Sequence, residues 1–139
     1  MYNSIFLYKN IFTFKYIRNM SFPSEFKKRY TLEQRKQECE KMLVRFPDRI
    51  PVIVERLANS NLPAMDRKKF LIPNDIVLGQ FVHIIRKRIN VNPVNAIFTF
   101  IGEKQKLYNI TEILSNIYQS QKDEDGFLYI YYTGENTFG

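Results

Sequence analysis

Apolar residues along the chain change their spacing several times, and each change marks an element. Residues 21–28 suit a short helix, with Pro23 tolerated in the first turn. Thr31 and Gln34 have capping-box spacing. Leu32, Cys39, Met42, Leu43 and Phe46 then form a stripe at helical spacing, opposite a charged face of Arg35, Lys36, Glu40 and Lys41. Pro47 ends that helix, because the residue before proline is pushed out of the helical region. Residues 50–56 (IPVIVER) are β-branched and short, hence a strand. Residues 68–72 (KKFLI) predict a second strand, ended by Pro73, whose basic start suits an exposed edge. Asn74 is placed to cap a helix with Val77, Leu78, Phe81, Ile84, Ile85 and Ile89 on one face. Arg86, Lys87 and Arg88 complement the negative end of its dipole. A strand follows over 95–101, then a short helix capped by Thr111 that carries Ile113, Leu114, Ile117 and Tyr118. Residues 127–132 (FLYIYY) form the last strand, and 134–139 a polar tail.

From residue 47 the predicted order is strand, strand, helix, strand, short helix, strand. One main helix crossing a small mixed sheet is the plan of a β-grasp, here an α+β ubiquitin-like fold with four strands and two helices in front. The expected division is a 1–20 extension, a 21–46 helical subdomain, a 47–133 ubiquitin-like domain and a 134–139 tail.

Composition changes this picture at one end. Fourteen of residues 1–20 are Phe, Tyr, Asn, Lys or Ile, all with AT-rich codons, and the segment holds Lys9, Lys15 and Arg18 but no acid. It reads as foreign to the rest, with Met20 as the natural start. A transit peptide or a membrane-touching segment is the functional alternative. Of the net charge of +7, this segment holds +3 and the remainder +4, from 18 basic and 14 acidic residues. Such a charge suits nucleic acid, anionic lipid or acidic peptides without choosing among them. No run of about 18 apolar residues is available to cross a membrane as a helix.

Candidate chemistry is sparse. The single cysteine, Cys39, excludes an internal disulfide and a multi-cysteine zinc site, and suits a reducing compartment. The single histidine, His83, adjoins the apolar stripe of its helix and reads as a packed edge residue. Asp123, Glu124 and Asp125 precede Gly126 and read as a solvated turn rather than a metal site. The RKR run at 86–88 is weak support for nucleic acid, and no glycine-rich phosphate loop exists.

Three blocks are more specific: FPDRIPVIVER at 46–56, DRKKFLIPNDIVLGQFVHIIRKRI at 66–89, and DEDGFLYIYYTGENTFG at 123–139. Together they closely resemble the autophagy ubiquitin-like modifiers, the family of the GABA-receptor-associated protein and microtubule-associated protein light chain 3, over about 26–139. The resemblance implies that the carboxylate of Gly139 is activated with ATP, carried as a thioester on a conjugating enzyme, and joined to phosphatidylethanolamine in the autophagosomal membrane. Many members carry residues after this glycine that a cysteine protease removes; here Gly139 ends the sequence. Either Gly139 is the encoded terminus, in which case that protease would serve only to deconjugate, or it is a terminus exposed by trimming. The implied protein is a monomer, a substrate of enzymes rather than an enzyme, with no cofactor, metal or nucleic-acid partner, found in the cytoplasm and on the autophagosomal membrane. A plastid-derived organelle is the alternative location. The competing functions are an unlipidated vesicle-trafficking adaptor and a basic RNA-binding β-grasp module.

The resemblance also implies capture of aromatic-x-x-aliphatic peptides, such as those of cargo receptors, by strand addition at 68–72. An aromatic pocket maps to Glu38, Met42, Pro51, Ile53, Lys69, Leu71 and Phe127. An aliphatic pocket maps to Phe70, Ile72, Pro73, Ile76, Phe81 and Ile84, with Arg88 at its rim. Arg67 stands where the family often has lysine, and Met42 where it often has a branched aliphatic residue. From periodicity alone, most of Ile53, Leu71, Phe81 and Ile84 read as core, and Glu38 as a solvated helix residue; only the resemblance moves some of them to a pocket. Each filled pocket is worth roughly 1.5–3 kcal/mol by transfer, and the whole a micromolar affinity, about −8 kcal/mol.

Overall fold

The computed structural model describes residues 24–134. Of the predicted 134–139 tail, Gly134 instead closes the last strand, where it pairs with Ile97; residues 135–139, with Gly139, and the first twenty residues lie outside the described residues. Two helices come first, α1 (Glu25–Arg29) and α2 (Leu32–Arg45). Then follow β1 (Arg49–Arg56), β2 (Lys69–Pro73), α3 (Leu78–Ile89), β3 (Ile97–Ile101), α4 (Leu114–Gln121) and β4 (Leu128–Gly134). The strands form one mixed sheet in the order β2-β1-β4-β3. Its central pair β1–β4 is parallel and both outer pairs are antiparallel.

The central strands are covered on both faces, so β1 and β4 read as unbroken apolar runs rather than alternating ones. Strand parity divides the core in two. Val52, Val54, Leu128, Ile130 and Tyr132 meet Leu78, Phe81 and Ile85 of α3 and Leu114 and Ile117 of α4. Ile53, Phe100, Tyr129 and Tyr131 meet Phe26 of α1 and Cys39 of α2, with Phe127 beside them.

Helix ends show where local sequence suffices. Thr31 and Gln34 form the predicted capping box: the Thr31 hydroxyl accepts from the Gln34 N–H at 3.2 Å, and the Gln34 side chain accepts from the Thr31 N–H at 2.9 Å. Asn74 and Thr111, however, cap nothing; the N-caps of α3 and α4 are Val77 and Ile113. The reason is tertiary. The α3 amides of Leu78 and Gly79 donate to the carbonyls of Glu112 and Ile110, and the Leu114 amide of α4 donates to the Ile76 carbonyl. Each helix start is satisfied by the loop before the other, so an apolar residue serves at the cap. His83 is exposed rather than a packed edge residue.

Candidate functional site

β2 is the outer strand of the sheet, and its free side is the predicted peptide edge. The register pairs Ile50 with Ile72, Val52 with Phe70 and Ile53 with Lys69. The Val54 N–H donates to the Lys68 carbonyl at 2.8 Å, so Lys68, Phe70 and Ile72 turn their amides toward β1. Lys69 and Leu71 therefore turn theirs outward. Pro73 shares their parity, so its missing N–H falls on the free side, where proline costs no ladder bond.

The same alternation separates the two candidate pockets. Pro51, Ile53, Lys69 and Leu71 share the face covered by α1 and α2. There the Lys69 Nζ donates to the Glu38 carboxylate of α2 at 2.9 Å, and Met42 packs against the cluster that contains Ile53 and Phe127. Phe127 is fully buried and meets Phe26 edge-on, with ring centres 5.5 Å apart. Glu38 and Lys69 also border a cavity of about 300 Å³ with Phe26, Tyr30 and Lys41. Glu38 is thus half-buried and ion-paired rather than simply solvated.

Phe70 and Ile72 face α3, where Phe81 is fully buried and Ile76 and Ile84 are partly covered. Phe70 meets Phe81 edge-on at 5.9 Å. The guanidinium of Arg88 lies 5.7 Å from the Phe70 ring centre and 4.0 Å from Asp66. Pro73 belongs by parity to the other face from Phe70 and Ile72, at the strand end. Ile53, Phe81 and Phe127 show no exposed surface. Any pocket they serve has them as its floor, with Leu71, Ile76 and Ile84 at its walls.

A second polar arrangement fixes the helices that border the edge, and the sequence reading missed it. Asp125 is not in a solvated turn. Its carboxylate has no exposed surface and accepts from Arg35 at 2.6 Å, from the Tyr129 hydroxyl at 2.5 Å and from the Phe127 N–H at 2.8 Å. Arg35, placed by periodicity on the charged outer face of α2, turns inward with a side chain only 11% exposed. Burial works against its charge, but hydrogen bonds to Tyr129 and Asp125 outweigh it and raise its pKa. Burial, then the hydrogen bond to Asp125, pushes the Tyr129 hydroxyl well above the usual tyrosine range. Lys27 of α1 pairs with Asp123 at 2.5 Å. Across the sheet, the buried Glu55 of β1 accepts from the Ser24 hydroxyl and from the N–H groups of Glu25 and Phe26. A carboxylate from a strand thereby caps α1. The signal available in the sequence was the DEDG run itself: an Asp side chain can accept from the backbone N–H two residues on, here that of Phe127 just before β4.

Cys39 packs under Gly126, and burial pushes its thiol up to about 11. At neutral pH it is an inert core thiol. Arg86 of the RKR run donates to the carbonyls of Asn92 and Asn95 at 3.3 and 2.6 Å, so it closes the loop after α3.

Comparison with known proteins agrees with this geometry. The family model described as autophagy protein Atg8, ubiquitin-like, matches residues 34–139. Autophagy-related protein 8d of Arabidopsis thaliana is 52% identical over 116 residues, covering 84% of this chain and 95% of the relative. Autophagy-related protein 8 of Schizosaccharomyces pombe is 50% identical over 116 residues, covering 84% and 94%. The crystal structure of Trypanosoma brucei ATG8 superposes with a TM-score of 0.79 at 40% identity, covering 84% of this chain and 99% of that one. The matched region, the ubiquitin-like sheet and the two leading helices agree, and the chain belongs to the Atg8 family of autophagy ubiquitin-like modifiers.

Proposed function

We propose that this chain is conjugated through Gly139 to phosphatidylethanolamine on autophagosomal membranes, and that its β2 edge captures aromatic-x-x-aliphatic peptides of cargo receptors and autophagy machinery. The observation that carries peptide capture is the edge itself. Lys69 and Leu71 direct their amides away from β1, and alternate residues of the same strand lead to apolar clusters on opposite faces. An added strand places its side chains on alternate faces with the same period, so one peptide reaches both.

Conjugation is supported by family membership. In the sequence the polar residues Glu135, Asn136 and Thr137 lie between Gly134, the last residue of β4, and Phe138-Gly139. A terminal glycine has no Cβ to obstruct entry into a narrow catalytic cleft. In this reading residues 21–46 are the helical subdomain, 47–133 the ubiquitin-like domain and 134–139 the conjugation tail. The protein is a substrate of an activating enzyme, a conjugating enzyme and a deconjugating cysteine protease, and not itself an enzyme. The buried, high-pKa Cys39 supports that assignment.

Reconstitution tests it. The full chain is mixed with the family's activating and conjugating enzymes, ATP and phosphatidylethanolamine liposomes. The expected product is heavier by one lipid, and Gly139→Ala abolishes it while leaving peptide binding intact. Absence of a conjugate from folded wild-type protein with active enzymes would overturn the conjugation reading.

A further inference from the structure

Composition sets residues 1–20 apart, and their order adds a repeat. Tyr2-Asn3-Ser4-Ile5, Tyr8-Lys9-Asn10-Ile11 and Phe14-Lys15-Tyr16-Ile17 are three copies of aromatic-x-x-Ile, each beginning six residues after the last. A bias toward Phe, Tyr and Ile scatters such pairs but does not set them at one period. The motif is the one proposed above for capture at β2, and it stands in the same chain as the edge. The described residues begin beside that edge. Glu25 and Phe26, the first residues of α1, line a groove together with Arg67, Lys68 and Lys69 at the start of β2. Ser24, which caps α1, donates to Glu55 near the end of β1. From Ile17 to Ser24 is seven residues, a reach of up to about 23 Å, against about 17 Å for the five residues of β2. The last copy can therefore be laid against the edge in either strand direction, and the two earlier copies have more slack.

We propose that the chain occupies its own peptide edge: one of the three aromatic-x-x-Ile copies within residues 1–20 adds to β2 as a strand, and an outside peptide must displace it. The inference rests on the peptide-capture reading above. A strand laid on the edge takes the outward amides of Lys69 and Leu71. Three residues apart, its aromatic and its Ile point to opposite faces, where the two apolar clusters lie. Each copy is a poor ligand. The segment carries Lys9, Lys15 and Arg18 and no acid, and so has the same charge as Lys68 and Lys69. An intrinsic Kd of about 1 mM is expected for one copy, weaker than the micromolar affinity of a well-matched peptide. Tethering offsets this. A tether so short holds the segment at an effective concentration of about 1 mM. By that figure one copy alone fills the edge about half the time, and three together about three-quarters. The edge is covered without being sealed, and a free fraction of about one quarter raises the apparent Kd of any outside peptide about fourfold. A chain begun at Met20 would lack all three copies, so the start used sets whether the edge is covered.

The test uses the full chain in three forms. They are wild type, the triple variant Tyr2→Ala/Tyr8→Ala/Phe14→Ala, and the control Phe6→Ala/Phe12→Ala. The control removes rings of the same segment that have a lysine, not an aliphatic residue, three positions on. Amide exchange of Lys69 and Leu71 is followed in each form. A synthetic peptide of three Glu followed by Trp, two Ser and Leu is titrated into each calorimetrically. The triple variant is expected to exchange both amides about fourfold faster than wild type and to bind the peptide about fourfold tighter, while the control matches wild type. The wild-type protection survives about a hundredfold dilution, because the contact lies within one chain. Loss of protection on dilution would make a second copy's segment the occupant and overturn self-occupation. A control that behaved as the triple variant does would reduce the repeat to general apolar contact and overturn the motif. Equal exchange and equal affinity in all three forms would also overturn self-occupation, while peptide capture stood. If no form binds the peptide, peptide capture itself falls, and self-occupation with it.

Discussion

Arg35 and Arg67 are both arginines that hydrogen-bond within the chain, yet their surroundings give them opposite roles. Arg35 is nine-tenths covered and bonded to a carboxylate that is itself fully buried. Its partner cannot turn to water, so the bond is either made or paid for by an unpaired buried charge. Arg67 is exposed and bonded to a carbonyl at a free strand edge. Water or another donor can replace it at little loss. The first arginine fixes where the helices sit against the sheet, and the second leaves that edge exchangeable. A binding edge needs both: a rigid border that keeps the pocket walls in register and a surface whose bonds can be traded.

The sharpest break in this comparison is Asp125→Ala. It leaves Arg35 without its buried carboxylate and removes the acceptor of Tyr129. The expected loss is about 3–5 kcal/mol of unfolding free energy, measured by urea titration with an unchanged m-value. A loss below about 1 kcal/mol would place Arg35 in the same exchangeable class as Arg67.

Gly126→Ala comes next. Gly126 has φ of 95°, in the left-handed region that favours glycine, and a Cβ there would come within 2.7 Å of the Cys39 Sγ. Backbone strain and overpacking together predict a loss of about 2–4 kcal/mol. Cys39→Ala added to it should recover the packing part and leave the backbone part. Recovery of the whole loss would mean that the positive φ is not needed.

Much of the fold was legible because it depends on short-range pattern. The α2 capping box, the stop at Pro47 and the order of strands all follow from residues within a few positions of one another. The caps of α3 and α4 were not legible, because Glu112, Ile110 and Ile76 supply the acceptors from across the fold. Arg35 was misplaced for a related reason. Periodicity assigns a helix face by hydropathy, and a long polar side chain bonded to a buried Asp125 counts as outward in such a pattern. At the candidate site, alternation along β2 already separates Lys69 and Leu71 from Phe70 and Ile72. What no spacing rule shows is that Arg67 folds back onto its own strand, since two residues of separation allow that contact without requiring it.

The smallest expected effect on stability tests whether the border of the edge is of the fixed or the exchangeable kind. Glu38 and Lys69 bond at 2.9 Å, with side chains 41% and 43% exposed. A pair so open to solvent contributes about 0–1 kcal/mol, so Glu38→Ala should barely move the urea midpoint. Its effect on binding is separate. Glu38 holds the Lys69 ammonium back toward α2, and without it that ammonium is free to swing toward the peptide's acidic flank. Glu38→Ala should therefore strengthen binding of an aromatic-x-x-aliphatic peptide preceded by three Glu about two- to threefold, by relieving a carboxylate near the site, and leave the same peptide preceded by three Gln unchanged. A stability loss near that of Asp125→Ala would instead show Glu38–Lys69 to be part of the rigid frame, and the exchangeable region would then shrink to Arg67.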